Sequence, residues 1–151
     1  MVDRFGTFAT TMTFINSCIR RIKEHEVESL GIKGKHLMCL YVLGNSSGGM
    51  TASQLCTACN EDKAAISRTI AVLRLKKYVY STIDTEKRAY RAKLRLTQAG
   101  KDAMVYINEH IEAVFDKVGG SLSEEQRKVF YDSLAIIANG LKSYIESENI
   151  K

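Results

Sequence analysis

Phe5, Phe8, Met12, Ile15, Ile19 and Ile22 recur at steps of three and four, which predicts an opening helix with a heptad-like apolar seam. Gly31 and Gly34 interrupt the pattern, and the apolar run LMCLYVL at 37–43 predicts a core helix over about 35–43. The stretch GNSSGG at 44–49 is a loop by composition. Thr51-Ala52-Ser53-Gln54 then has the spacing of a capping box, in which the hydroxyl accepts from the backbone three residues on and the amide reaches back. It opens a short helix running to about Cys59. Asn60 suits the left-handed turn position, and Asp62 caps the next helix. That helix ends near Lys77, with Arg74, Lys76 and Lys77 at its negative end.

The period then changes from helical to alternating. In YRAKLRL, Tyr90, Ala92, Leu94 and Leu96 share one face while Arg91, Lys93 and Arg95 share the other, as in a strand with one buried side. Its expected partner is YVYSTI at 78–83, and DTEKRA forms the hairpin tip between them. Thr97 caps a long helix carrying Met104, Ile107, Ile111, Val114, Phe115 and Val118. GGSLSEEQ ends it. Ser123-Glu124-Glu125-Gln126 is a second capping box, opening a last helix with Phe130, Leu134, Ile137, Leu141 and Ile145 on one face. No internal repeat occurs.

A capped short helix, a tight turn, a second helix and a hairpin make a winged helix-turn-helix. The expected fold is mainly α with a small β-hairpin, with helices left over at both ends. Ile66, Ile70 and Leu73 form the docked face of the second helix, which turns Lys63, Ser67, Arg68 and Arg74 outward. Charge sharpens this picture. The chain of 151 residues has a net charge of +5, but residues 60–97 carry ten Lys and Arg against four Asp and Glu, a net +6, so the remainder carries −1. Basicity concentrated on one helix and its hairpin predicts double-stranded DNA as partner. Lys63, Ser67 and Arg68 would enter a major groove, and the hairpin would bring Lys87, Arg88 and Arg91 to the flanking backbone or minor groove. A winged helix needs only about 60–70 residues. Three apolar-striped helices outside it are more than one small domain can cover, and they predict a homodimer that presents two recognition helices to a palindromic operator.

MTASQLCTACNEDKAAISRTIAVLRLKKYVYSTIDTEKRAYRAKLRLTQAGKDA resembles the DNA-binding core of the multiple antibiotic resistance regulators, the MarR family. The matching elements are the Thr-x-x-Gln-Leu opening, DKAAISRTI as recognition helix, DTEKRAYR as wing and LTQAG at the start of the next helix. GIKGKHLMCLYVLG fits the helix before the motif, so the resemblance covers nearly the whole chain. It implies one MarR-like domain over 1–151, with the winged helix-turn-helix at about 35–97 and dimerisation helices at about 1–30 and 98–151. By the same resemblance Ser67 and Arg68 contact DNA, with Lys63, Ala64 and Ala65 at the helix start, and Asp84 and Arg88 are the acid and the groove-reaching arginine of the wing. It further implies a repressor released from its operator by a small-molecule effector, bound between the dimerisation helices and the winged domain. Ala64 and Ala65 stand where hydroxyl residues are common, which suits apolar contact with thymine methyls.

Other functions find less support in the residues. No apolar run approaches the roughly 18–20 residues of a membrane helix, and the N-terminal stretch lacks the pattern of a signal peptide. Four cysteines without a secretion signal read as reduced thiols of a cytoplasmic protein. Cys56 and Cys59 form a C-x-x-C, but a thioredoxin-like site needs a βαβ context and a zinc site needs two further ligands. Packed thiols are the expectation there, and Cys18 and Cys39 read as core. The alternative is a metal- or thiol-responsive winged-helix switch using Cys56 and Cys59, or His25, His36 and His110 with Glu24, Glu28 and Glu109. The histidines are scattered without an H-x-x-x-H pair, so neither a metal nor another cofactor is expected. No Ser/His/Asp set, glycine-rich phosphate loop or paired carboxylates point to an enzyme.

Overall fold

The computed structural model describes residues 3–82 and 92–150. The chain divides into two compact units, Met1–Ile111 and Glu112–Lys151. The first begins with α1 (Arg4–Val27), started by Asp3, whose carboxylate accepts from Gly6 N–H at 2.8 Å. A single 3-10 turn (Glu28–Leu30) and Gly31 lead to α2 (Gly34–Gly44). Then come α3 (Ala52–Cys59), α4 (Lys63–Leu75), β1 (Val79–Ser81), β2 (Leu94–Leu96) and α5 (Gln98–Gly119), of which residues up to Ile111 belong to this unit.

The core shows why these elements meet. Leu40 of α2, Leu55 of α3, Ile66 and Leu73 of α4 and Ile107 of α5 are all fully buried. Burying a side chain of this kind contributes about 1.5–3 kcal/mol. α2 is the hub, packing on α1, α3, α4 and β2. The hairpin is antiparallel with Val79 opposite Leu96, Tyr80 opposite Arg95 and Ser81 opposite Leu94. Its alternation follows the sequence: Ala92, Leu94 and Leu96 are buried and Arg95 is exposed. Met50 adds a bridge to Leu94 through two backbone hydrogen bonds, of 2.8 and 3.1 Å, so the sheet gains a third strand position just before α3. Nothing in the sequence pattern marked it.

The turn into α5 is closed by Thr97, whose hydroxyl accepts from Gly100 N–H and donates to the Lys77 carbonyl at 2.6 Å. Gly100 lies so close to Tyr78 that a Cβ there would collide with the Tyr78 carbonyl oxygen.

Three expected boundaries shift, those of α4, of β1 and of β2, which begins at Leu94 rather than earlier in YRAKLRL. α4 ends at Leu75 rather than near Lys77, because Lys77 takes the left-handed conformation at φ 59. There Tyr78 N–H reaches the Leu73 carbonyl and Lys77 N–H the Arg74 carbonyl, both at 2.9 Å, in a Schellman closure. Lysine at the position that usually holds glycine hides the stop from a reading of residue types. β1 is shorter than 78–83. The expected hairpin tip, with Ile83, Tyr90 and Arg91, lies outside the described residues.

The second unit contains α6 (Glu124–Ser147), opened by the expected box: Ser123 Oγ accepts from Gln126 N–H at 3.2 Å, and Gln126 Oε1 accepts from Ser123 N–H at 2.9 Å. None of its residues is buried. No helix among the described residues is long and apolar enough to cross a membrane.

Candidate nucleic-acid interface

The helix-turn-helix is held by caps at both of its entrances. Thr51 Oγ1 accepts from Gln54 N–H at 3.2 Å and Gln54 Oε1 from Thr51 N–H at 2.9 Å, which starts α3. Asn60 turns the chain at φ 52. Asp62 then accepts from Ala65 N–H at 2.7 Å and fixes the first turn of α4. Such a cap contributes about 1 kcal/mol. It also sets where the first exposed side chains of α4 point.

Ile66, Thr69 and Leu73 are the buried stripe of α4, with Ile70 half-buried beside them. Thr69, at 6 % exposure, belongs to the docked face although it is polar. The opposite face carries Lys63, Ala64, Ser67, Arg68 and Arg74, all exposed, while Ala65 is half-buried at the edge. Helical spacing makes Lys63, Ser67 and Arg74 one row and Ala64, Arg68 and Leu75 another. Leu75 is 81 % exposed, an apolar side chain on the basic face that the Ile66–Ile70–Leu73 period does not predict. The candidate wing residues Asp84, Lys87, Arg88 and Arg91 lie outside the described residues. At the wing base Arg95 donates to the Gly48 carbonyl at 3.2 Å, so its guanidinium ties β2 to the loop before α3.

Behind α4 lies a cavity of about 330 Å³ in the first unit. α1 lines it with Arg20, Lys23 and Glu24, α2 with Lys35, Met38 and Cys39, and α4 with Ile66, Arg68 and Thr69. Arg68 therefore borders both this cavity and the outer face. Cys59 and Glu61 complete the wall from the α3–α4 turn.

The other candidates are dispersed. His36 is buried at the start of α2, and its Nδ1 accepts from Lys33 N–H at 3.1 Å. Burial, then Lys35 and Lys33, hold its pKa below the ordinary histidine value against the opposing pull of Glu24. Glu24 itself accepts from Gly34 N–H at 2.9 Å. His25 and His110 line a different cavity with Glu28 and Tyr106, and His110 Nδ1–H donates to the Tyr106 carbonyl at 2.7 Å. Among the described residues no three His, Cys, Asp or Glu side chains gather so as to hold a metal ion. Cys56 and Cys59 are half-buried and pack on the core, Cys18 is half-buried and Cys39 fully buried. The sulfurs that meet are those of Cys39 and Cys59, 3.6 Å apart, twenty residues from each other in sequence and on different helices. That proximity needs the packing of α2 on α3, which no local spacing encodes.

The sequence profile described as the MarR family matches residues 30–89. A search of curated proteins finds no match. Solved structures match along nearly the whole chain. A MarR transcriptional regulator from Methanosarcina mazei Go1 is 22 % identical with a TM-score of 0.79, over 91 % of this chain and 98 % of that one. The crystal structure of MarR is 21 % identical with a TM-score of 0.78, over 97 % of this chain and 99 % of that one. MepR of S. aureus, in a complex with DNA, is 17 % identical with a TM-score of 0.76, over 88 % of this chain and 97 % of that one. Residues 30–89 thus match the MarR-family profile, and the chain has the winged-helix fold of these solved structures.

Proposed function

We propose that this chain is a cytoplasmic, non-enzymatic transcriptional regulator that binds a palindromic DNA operator as a homodimer. The observation that carries this reading is the division of α4 into two faces. Ile66, Thr69 and Leu73 are committed to the core, and Lys63, Ser67, Arg68 and Arg74 are left exposed on a helix whose start is fixed by Asp62. A helix anchored along one side with cations and a hydroxyl on the other suits a major groove: Arg68 for base edges, Lys63 and Arg74 for phosphates, Ser67 for either. MepR, whose structure includes DNA, shares the fold and supports the assignment by analogy. The wing residues Asp84, Lys87, Arg88 and Arg91 extend the proposed contact to the flanking DNA.

The regulator acts as a repressor, and a small-molecule effector in the cavity behind α4 releases it. Arg68, on that cavity's wall, links occupancy of the cavity to the DNA-facing side of the helix. Selection from a random duplex library tests the DNA-binding reading. A recovered consensus with two inverted half-sites about one helical turn apart supports it; recovery of no sequence preference at any salt concentration refutes it.

A further inference from the structure

Cys39 is buried on α2, and Cys59 is the last residue of α3, half-buried on the wall of the cavity behind the recognition helix. Their sulfurs are 3.6 Å apart and both thiols are free. From Cys59 the chain passes through Asn60, held at φ 52, and Glu61 to Asp62, whose carboxylate caps α4. Glu61 N–H is itself bound to the Cys56 carbonyl at 3.0 Å, so this turn has little slack. One sulfur of the pair thus sits at the root of the linkage that aims the recognition helix.

We propose that Cys39 and Cys59 form a thiol–disulfide exchange site within one chain, closed by low-molecular-weight disulfides, and that closure draws the α3–α4 turn toward α2 and weakens DNA binding. A disulfide needs its sulfurs about 2.05 Å apart, so the pair must close by roughly 1.5 Å from its reduced separation. Rotation of the two side chains supplies part of that, and the turn supplies the rest.

The two thiols have unequal roles. Cys59 borders the cavity and is reached first. Burial pushes both thiols above the ordinary cysteine value, Cys39 far more strongly, and at Cys59 a hydrogen bond from Cys39 S–H offsets part of that rise. The Cys59 thiolate attacks one sulfur of a small disulfide RSSR, forming a mixed disulfide as the original S–S bond breaks. The departing RS⁻ takes up the proton that Cys59 released. Cys39 then loses its proton and attacks the Cys59 sulfur, and the second RS⁻ leaves and is protonated. The protein pair gives up two electrons and two protons, and one RSSR becomes two RSH. The C-x-x-C spacing suggests a Cys56–Cys59 partnership instead; the 3.6 Å approach of Cys39 to Cys59 directs the bond across two helices.

The test uses the full chain equilibrated in glutathione redox buffers of increasing oxidised fraction, quenched in acid, alkylated and mapped by peptide mass. The expected product is a Cys39–Cys59 crosslink with the loss of two hydrogens, retained in Cys56→Ser and absent in both Cys59→Ser and Cys39→Ala. A Cys56–Cys59 crosslink, or no intrachain crosslink in folded protein at any ratio, overturns the site. The Cys59→Ser variant, altered at the half-exposed position, keeps the test valid should Cys39→Ala fold poorly. The second arm rests on the proposed DNA-binding function and uses a duplex selected from a random library by the reduced protein. Oxidation should weaken binding about tenfold, within the usual range of coupling between sites, and should leave Cys59→Ser unaffected. Equal affinity of oxidised and reduced protein overturns the switch. If reduced protein selects no duplex, the DNA-binding function fails, while the peptide map still decides the disulfide.

Discussion

α4 and α6 are both amphipathic helices, yet they end in opposite conditions. On α4 the apolar stripe is spent: Ile66 and Leu73 are each 1 % exposed, and what remains outside is mostly polar. On α6 no residue is buried, and Phe130, Ile137, Leu141 and Ile145, one helical face, are all exposed. α1 resembles α6 at its start, where Phe5 is 81 % exposed, and resembles α4 at its end, where Val27 is fully buried. An apolar face that its own unit covers positions a site, whereas one left exposed within its unit is available to a partner. The bare faces lie on the helices that the proposed homodimer would use.

The difference predicts two kinds of damage from similar substitutions. Leu55→Ala removes a fully buried side chain of the winged helix and should cost about 2–5 kcal/mol. The loss should be the same at every protein concentration in thermal or denaturant unfolding. Leu141→Ala on α6 should leave the winged helix intact and instead weaken association, so its apparent Tm should fall mainly at low concentration. If both variants lose stability independently of concentration, the α6 stripe is not an association surface.

Gly100→Ala probes the join between α5 and the hairpin. Its Cβ would strike the Tyr78 carbonyl, and overpacking of this kind costs about 1–3 kcal/mol. Unfolding by urea should show that loss; an unchanged midpoint would mean that the backbones separate freely at this point. On the exposed side of α4 the same order of energy should appear in binding rather than in stability. Arg68→Ala should forfeit about 1–3 kcal/mol of sequence discrimination, whereas Lys63→Ala should weaken all DNA alike and reduce the salt slope by about one for each phosphate left unneutralised. Should Arg68→Ala weaken selected and random DNA equally, Arg68 is a phosphate contact.

The smallest effect concerns His36. Its folded pKa lies below the unfolded value near 6.5, so the folded state resists protonation. The contribution of neutral His36 is complete above the unfolded value and is lost as pH falls through and below it, because burial, then Lys35 and Lys33, oppose the charged imidazole. Gln at this position keeps an acceptor without a titration. Wild type should therefore lose stability relative to His36→Gln between about pH 7.5 and 5, in paired denaturant titrations; parallel pH profiles would remove His36 from this role.

What the sequence disclosed and what it hid follow the same division. Capping boxes at Thr51 and Ser123, the turn at Asn60 and the cap at Asp62 are local, and each has the predicted geometry. Alternation around Leu94 and Leu96 carried the strand face, because period two leaves few alternatives. The stop of α4 at Leu75, before the expected end, was hidden because the left-handed residue that closes it, Lys77, is of a type uncommon at such positions. The Met50 bridge, the burial of Thr69 and the meeting of Cys39 with Cys59 all require tertiary packing, and no spacing along the chain announces them. For the interface, the exposed placement of Lys63, Ser67, Arg68 and Arg74 was legible from the Ile66–Ile70–Leu73 period, whereas the cavity behind Arg68 was not.

Sedimentation of the protein with a single selected duplex tests the central claim most directly, since it reads DNA binding and assembly together. Two chains should bind one duplex in a single step, with half-sites about 10 bp apart centre to centre, and Leu141→Ala should convert that step into two weaker ones. One chain per duplex at saturation, with unchanged affinity in Leu141→Ala, would contradict a homodimeric reader of DNA.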